Sequence, residues 1–319
     1  MRPVVNSSAP KASAPPPASR LGGGESGSGQ SDSAGSARLG TSGIRSRSGV
    51  VVKRMARGAE DGYHSQLVPG LKSSLDAGRL VTELVYAADR LKLLAAEPTG
   101  LWAEVAGDGP LEERLWLAFQ IALIGPSSGE DELDDPFSAI EAARVPWGSE
   151  PDLDPVVAGP RGGIDARRWP QTVEAYRSWA SKAGSQEQGF KGDPSWTPER
   201  RFDRLYERLG SLPGMSRDAR FELLTVLGTL GIFEIKVGRL HLAGENETTV
   251  AGKRVFGIGD TLLLDRRAQA LAEICELPLV ALDLGLHNWG GGVRVGGGVP
   301  IDLELDPEAI ERCRRALKL

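Results

Sequence analysis

The sequence predicts an all-α fold preceded by a leader that does not fold. Apolar residues recur at helical spacing, not in alternation, over most of residues 61–319. Pro and small polar residues stand where helices start. Two short Gly turns, Leu212-Pro213-Gly214-Met215-Ser216 and Phe256-Gly257-Ile258-Gly259-Asp260, lie between helical stretches. A tight turn between two helices is a helix–hairpin–helix unit. The N–H groups that open its second helix can hold a phosphate without reading a base. Gly214, Ser216, Arg217, Gly257 and Gly259 are therefore the candidate DNA-binding residues.

Residues 1–60 are rich in Ser, Gly, Ala, Pro and Arg, with Pro15-Pro16-Pro17, Gly22-Gly23-Gly24 and almost no aromatic residue. Such a segment cannot bury enough apolar area to offset its chain entropy. It is either a disordered leader or an over-extended start, with Met55-Ala56-Arg57 as the second candidate start. It has no continuous apolar run of the secretory type. The domain division is accordingly 1–60 and 61–319.

In the folded part, Leu71 to Leu94 keeps a helical period, with Gly78 as a candidate break. Pro110 opens a helix that runs to Ile124 and stops at Gly125-Pro126. Asp135-Pro136 opens a short helix to Arg144, and residues 145–168, rich in Pro, Gly and Asp, form a long loop or lid. Pro170 starts a helix closed by Gly184. Thr197 caps a helix through Leu209 with Phe202, Leu205, Tyr206 and Leu209 on one face, and Gly210 ends it. Ser216 caps Arg217 to about Leu230, a strongly apolar and so buried helix. Ile235 to Leu242 alternates and reads as a short strand. Glu247 to Phe256 is helical, and Asp260 caps Thr261 to about Glu276. Gly290 to Val299 reads as a hairpin or loop, the minor β-hairpin content of the fold, and Asp306-Pro307 opens the last helix.

Charge limits the partners. Residues 1–60 carry nine Lys/Arg and three Asp/Glu, a net of +6, so with −5 overall the body carries −11. Affinity for nucleic acid depends on neutralising phosphates, so a DNA surface here has to be local. Lys191 to Arg220 is locally positive, with seven basic and five acidic residues. Cys275 and Cys313 are the only cysteines, too few for a four-Cys cluster, and a reduced cytoplasmic setting is expected. His64, His241 and His287 show no metal-ligand spacing, so neither metal nor cofactor is expected. No apolar run is long enough for a membrane span.

Asp283 is the candidate catalytic residue. Pro278-Leu279-Val280-Ala281-Leu282-Asp283-Leu284-Gly285-Leu286-His287 is similar to the segment of helix–hairpin–helix DNA glycosylases that ends in their catalytic Asp. Asp283 lies 24 residues after Gly259, about one helical turn beyond that pattern, whereas the same spacing from the first hairpin lands near Glu234 and Lys236, with no Asp. A carboxylate here can orient a nucleophile or stabilise a cationic transition state. The alternative is a helix cap or an ion-pair partner for an Arg such as Arg266. The glycosylase Lys that follows the hairpin has no counterpart in Asp260-Thr261-Leu262, which argues against the base-excising, strand-cutting type. Trp196 is positioned either to stack on a base or to plug the core beside a capped helix start. Arg200 and Arg201 are placed to pair with phosphate or pyrophosphate.

Several strings together resemble the alpha-glutamyl/putrescinyl thymine pyrophosphorylase family, clade 3. They are Ala183-Gly184-Ser185-Gln186, Gly192 to Phe202, Leu212-Pro213-Gly214, Lys253 to Asp260, Asp265-Arg266-Arg267-Ala268, Ala281-Leu282-Asp283-Leu284 and Asn288-Trp289-Gly290, and the likeness extends over roughly residues 70–292. The resemblance implies a glycosylase-like helical domain and a reaction on DNA that carries pyrophosphorylated 5-hydroxymethyl-uracil. In that reaction a small amine or amino acid displaces pyrophosphate at the base's methylene carbon. It implies substrate- or anion-binding roles for Gln186, Asp193, Trp196, Arg200, Arg201, Arg266 and Arg267, with Asp283 assisting loss of the amine proton. A base-excising glycosylase and a non-catalytic DNA- or protein-binding module are the alternatives.

Overall fold

The computed structural model describes residues 44–45, 51–52, 58–128, 135–153, 156–163 and 166–319. Most of 1–60 therefore lies outside the described residues, and so does the expectation that it is disordered. Ile44–Arg45 (β1) and Val51–Val52 (β2) pair antiparallel, Ile44 opposite Val52. All described residues belong to the unit Ser42–Leu319.

The body is all-α. Its helices are α1 (Ser74–Ala96), α2 (Leu101–Ala106), α3 (Leu111–Ile124), α4 (Ser138–Ala143), α5 (Trp169–Ala183) and α6 (Gln186–Lys191), then α7 (Pro198–Leu209), α8 (Arg217–Thr229), α9 (Glu247–Phe256), α10 (Thr261–Cys275), α11 (Ala281–Gly291) and α12 (Pro307–Leu317). Local chemistry sets most of the starts. The side chains of Thr197, Ser216, Asn246, Asp260 and Asp306 each accept a hydrogen bond from a first-turn N–H. No helix among the described residues is long and apolar enough to cross a membrane.

Two expectations are corrected, and a third that stood open is decided. α1 runs through Gly78 without a break. A mid-helix Gly costs roughly 1 kcal/mol, and the burial of Ala77, Leu80, Val81, Leu84 and Val85 around it outweighs that. Ile235 to Leu242 is irregular, not a strand. Its backbone groups bond to separate elements: Lys236 N–H donates to the Pro198 carbonyl at 3.2 Å and Leu240 N–H to Asp265 Oδ1 at 3.0 Å, so no ladder forms. Gly290–Val299 finishes α11 and then runs as a loop, the second of the two forms read for it. Its carbonyls receive side-chain donors instead, Arg90 Nε on Gly296 and Trp102 Nε1 on Gly297. Smaller shifts occur at α3, where Pro110 is the residue before the helix, and at α4. There Asp135 Oδ1 accepts from Phe137 N–H in a turn and the helix begins three residues later.

α11 lies at the centre, packed between α1 and α9, and α1 and α10 also hold α12. α3 carries α2, α4 and α6, and α5 packs on α6. α8 touches α7, α3 and α1, so it joins the two groups of helices. Leu115–Ile124 of α3 and Ala281–Trp289 of α11 are buried on every face. Gly285 allows the central contact, because a Cβ there would lie 3.0 Å from Leu84 Cα and 3.1 Å from the Glu83 carbonyl oxygen. Backbone atoms cannot step aside as a flexible side chain does.

Gly285→Ala should therefore lower the unfolding free energy by about 1–3 kcal/mol, read as a lower urea midpoint with an unchanged m-value. An unchanged midpoint would mean that α1 and α11 are not so closely apposed.

Candidate active site

The first hairpin does not point outward. Ser216 Oγ accepts from Ala219 N–H at 2.8 Å, which starts α8 with Arg217 in its first turn. Thr172 of α5 donates to the Pro213 carbonyl, and Met215 and Ser216 are buried. The segment after α3 folds back on that helix: Gly159 N–H donates to the Ile124 carbonyl at 2.9 Å and Gly163 N–H to the Leu123 carbonyl at 2.6 Å. Gly162 fits because a Cβ there would lie 2.2 Å from the Ile124 oxygen. This backbone course carries Arg161 inward, opposite Arg217.

Between those two arginines is Asp283, in the first turn of α11 and 2% exposed. Arg161 Nη2 donates to Asp283 Oδ2, and Arg217 Nη1 donates to Asp283 Oδ1. Arg217 also donates to Asp218 Oδ1 at 2.9 Å and to the Leu240 carbonyl, and lies over the Phe221 ring. Glu222, one turn along α8, accepts from Arg90 Nη2 of α1 and stands 3.9 Å from Arg161 Nη2. His287, one turn beyond Asp283, places Nδ1 3.6 Å from Asp218 Oδ2, and Thr248 Oγ1 donates to Asp218 Oδ1 at 3.3 Å. Three guanidiniums and three carboxylates thus meet in the interior, all buried.

Burial alone would weaken the Arg161 and Arg217 cations, but Asp283 and Asp218 outweigh it and hold both above the usual arginine value. Burial also opposes ionisation of Asp218, but Arg161 and Arg217 bring it down to about 2. His287 goes the other way. Burial, reinforced by Arg161, lowers it to about 4, so it is neutral near pH 7. His241, stacked on Tyr206 and bonded to Asp203 at 2.7 Å, is likewise lowered to about 4 by burial.

This arrangement has chemical capacity left. Arg161 Nε and Nη1, Arg217 Nε and His287 Nδ1 are buried and meet no hydrogen-bond partner among the described residues. Guanidinium N–H groups beside a carboxylate can take up an anion while the carboxylate takes a proton. A small cavity of about 10 Å³ adjoins Asp283, lined also by Arg90, Glu222 and Thr225. Thr225 and Val280 also line a larger, mostly apolar cavity of about 310 Å³ between α7, α8 and residues 278–280. Among the described residues no group of three His, Cys, Asp or Glu could hold a metal ion.

The other candidate residues are scattered. Gln186 is buried and tied to its neighbours: it accepts from Tyr176 Oη at 2.7 Å and donates to the Glu112 carbonyl at 2.8 Å. Asp193 is exposed and caps Ser195. Trp196 is half-buried under the Arg208 guanidinium. Arg201 donates to the Lys191 and Glu234 carbonyls, and Arg200 is exposed. Gly214 takes a positive φ of 75° in the covered first hairpin. The second hairpin is open, with Gly257 and Gly259 exposed and Asp260 Oδ1 accepting from Leu263 N–H. Arg266 and Arg267 stand exposed beside it on α10, Arg267 donating to the Gln66 carbonyl. Asp283 is thus brought together with Arg217 alone of the named candidates. Arg90, Arg161, Asp218, Glu222 and His287 were missed as members of the site. Two carried a readable sign: Arg90 falls on the apolar face of α1, and Glu222 interrupts the apolar run Phe221 to Leu224.

Residues 164–291 match the model of the alpha-glutamyl/putrescinyl thymine pyrophosphorylase clade 3 family. The chain is similar to that family over this segment, less than half of its length. Comparison with curated proteins and with solved structures gives no match. The match is shorter than the likeness over roughly 70–292 read from the sequence. It contains Arg217, Asp218, Glu222, Asp283 and His287, while Arg90 and Arg161 come from the chain before it.

The two histidines set an acid limit. Each binds its proton less readily folded than at its ordinary value of 6.5. Their contribution is therefore complete above about pH 6.5 and is lost as pH falls towards 4. Asp218 adds a second loss only below its ordinary value of 3.8, towards about 2. Urea midpoints should fall steadily from pH 7 to pH 4, and His287→Gln should flatten part of that slope. A flat profile over this range would contradict the burial of neutral histidines.

Proposed function

We propose that this chain modifies a thymine-type base in DNA by displacing pyrophosphate from pyrophosphorylated 5-hydroxymethyl-uracil with an amine. The family of residues 164–291 supports the reaction class. The observation that carries the site is Asp283 held between Arg161 and Arg217, whose guanidiniums keep unused buried N–H groups. The amine nitrogen forms a bond to the exocyclic methylene carbon as the carbon–oxygen bond to pyrophosphate breaks. The electron pair leaves with pyrophosphate, and the amine gives up a proton to Asp283. The leaving group gathers negative charge, which the free N–H groups of Arg161 and Arg217 are suited to take up. A pyrophosphate that draws Arg161 away also uncovers Asp283 Oδ2, so the substrate itself makes the base available. The apolar cavity that shares Thr225 with the Asp283 cavity is the proposed path for the amine.

In this reading residues 61–319 form the catalytic domain. The second hairpin grips the phosphate backbone through N–H groups around Gly257 and Gly259, flanked by Lys253, Arg254, Arg266 and Arg267. A patch of this kind lets an acidic body bind DNA locally. The two ion pairs of Asp283 favour a second reading, in which the residue only holds the helices together.

The deciding assay supplies DNA bearing the pyrophosphorylated base with a panel of amines and amino acids, followed by nucleoside mass spectrometry and pyrophosphate release. The wild type should form the amine adduct. Asp283→Asn should reduce the rate by about 10²–10⁴-fold while remaining folded by circular dichroism. An equally active Asp283→Asn variant would leave the structural reading, and abasic sites without adduct would indicate a glycosylase. In a separate titration, duplex binding should weaken with salt. Arg266→Ala with Arg267→Ala should reduce the magnitude of the salt slope by about 1 for each phosphate that is no longer neutralised. An unchanged slope would move the DNA surface elsewhere.

A further inference from the structure

The second hairpin carries an apolar feature that a grip on phosphates does not use. Leu262 and Leu263, the second and third residues of α10, are 68% and 47% exposed. α10 packs through Leu264, Ala268, Leu271 and Ala272 instead, all of them buried. A single exposed leucine needs no explanation, but two side by side, next to the half-buried Ile258, make an apolar knob. Side chains in a helix lean toward its N-terminus. Leu262 and Leu263 therefore project past the start of α10, alongside the turn that holds the exposed Gly257 and Gly259.

Cations stand behind this knob. Arg266 follows Leu262, and Arg267 follows Leu263, at the four-residue spacing that places side chains on one helix face, and all four are exposed. From Lys253 to Arg267 the chain has four basic and two acidic residues. Both acidic side chains are turned to backbone groups: Asp260 Oδ1 accepts from Leu263 N–H and Asp265 Oδ1 from Leu240 N–H, each at 3.0 Å. The rim is thus positive and the tip apolar. A second copy of the chain would bring this positive rim against itself in a two-fold pairing. Two leucines also fall far short of the roughly 800 Å² per partner of a stable interface. A lipid surface is held poorly as well, since even one myristoyl chain anchors a protein only marginally. A DNA duplex asks less: its phosphates meet the rim, and an apolar wedge enters a single base step.

We infer that Leu262 and Leu263 form a wedge that enters the minor groove of duplex DNA and unstacks one base step, while Arg266 and Arg267 neutralise the flanking phosphates. This rests on the reading of the second hairpin as the DNA grip and adds to it a local deformation of the duplex. The cost of that deformation depends on the sequence being opened. Pyrimidine–purine steps unstack easily and A-tracts resist, so a protein that reads no base edge still prefers some sites over others.

The test uses the full chain with a duplex carrying 2-aminopurine at a TA step and a matched duplex carrying it in an A-tract. Two variants accompany the wild type, Leu262→Ser with Leu263→Ser, and Leu262→Met with Leu263→Met. Both positions are exposed, so both variants should melt with the wild type. Binding of the wild type should raise 2-aminopurine fluorescence, more at the TA step than in the A-tract. The serine pair should bind about ten-fold more weakly, lose the fluorescence rise and keep the salt slope, because the arginines remain. The methionine pair should recover both affinity and fluorescence. Salt-dependent binding without a fluorescence rise, or with an equal rise in the serine pair, overturns the wedge and leaves the phosphate grip standing. Absence of duplex binding at low salt overturns both. Dimerisation in sedimentation, or binding to phosphatidylserine vesicles, that the serine pair abolishes while duplex fluorescence stays the same assigns the leucines to that partner and overturns the wedge.

Discussion

The buried pairing of Asp283 with Arg161 and Arg217 is the constraint on which the arrangement of helices depends. One carboxylate ties the first turn of α11 to the first turn of α8 and to the segment that follows α3. Glu222 extends the tie to α1 through Arg90. Taking six charges out of water costs several kcal/mol each before pairing, so such a group persists only where each ion meets its opposite. Three guanidiniums against three carboxylates, with two histidines held neutral, meet that condition. A hydrophobic cluster of the same volume would hold the helices at least as firmly. Retention of charge in the centre of the molecule is therefore better explained by chemistry than by stability.

That chemistry follows from how little the pairing leaves exposed. Each oxygen of Asp283 already accepts from a guanidinium, and one becomes available to a proton when a cation is drawn to something else. A pyrophosphate group is among the few ligands anionic enough to compete. The buried N–H groups of Arg161 and Arg217 that no described residue engages give such a group a place to bind. The same ion pairs that hold the fold at rest thus serve, under the proposed reaction, as the device that keeps Asp283 inactive until substrate arrives.

Much of the helical frame was legible because its determinants are local. Thr197, Ser216 and Asp260 each cap the helix that the sequence assigned to them, and Pro198 and Pro307 each open one. Asp283 was legible from its place after the second hairpin's helix. Its partners were not, since Arg217 lies 66 residues away and Arg161 lies 122. No local pattern joins residues at that separation, and Arg161 stands in a Pro- and Gly-rich stretch that reads as loop. Ile235 to Leu242 misled for the converse reason. Its alternation is real in the sense that Ile235, Leu240 and Leu242 are buried, but its backbone bonds to α7 and α10 territory and not to a second strand.

The two hairpins look alike in sequence and differ in use because of what covers them. The first is roofed by α5 and the glycine-rich segment at 159–163, so its cap turns Arg217 inward to Asp283. The second is touched by residues 69–70, where Gly70 N–H donates to the Val255 carbonyl at 3.0 Å, but Gly257 and Gly259 stay exposed among basic side chains. A tight turn between helices supplies only a directed helix start. Whether that start meets a carboxylate in the core or a phosphate outside is decided by elements far away in the chain. Here the covering elements include residues before 164, outside the matched family segment. Arg90 and Arg161 come from that same region, so the family segment by itself holds the three carboxylates but only one of the three guanidiniums that meet them.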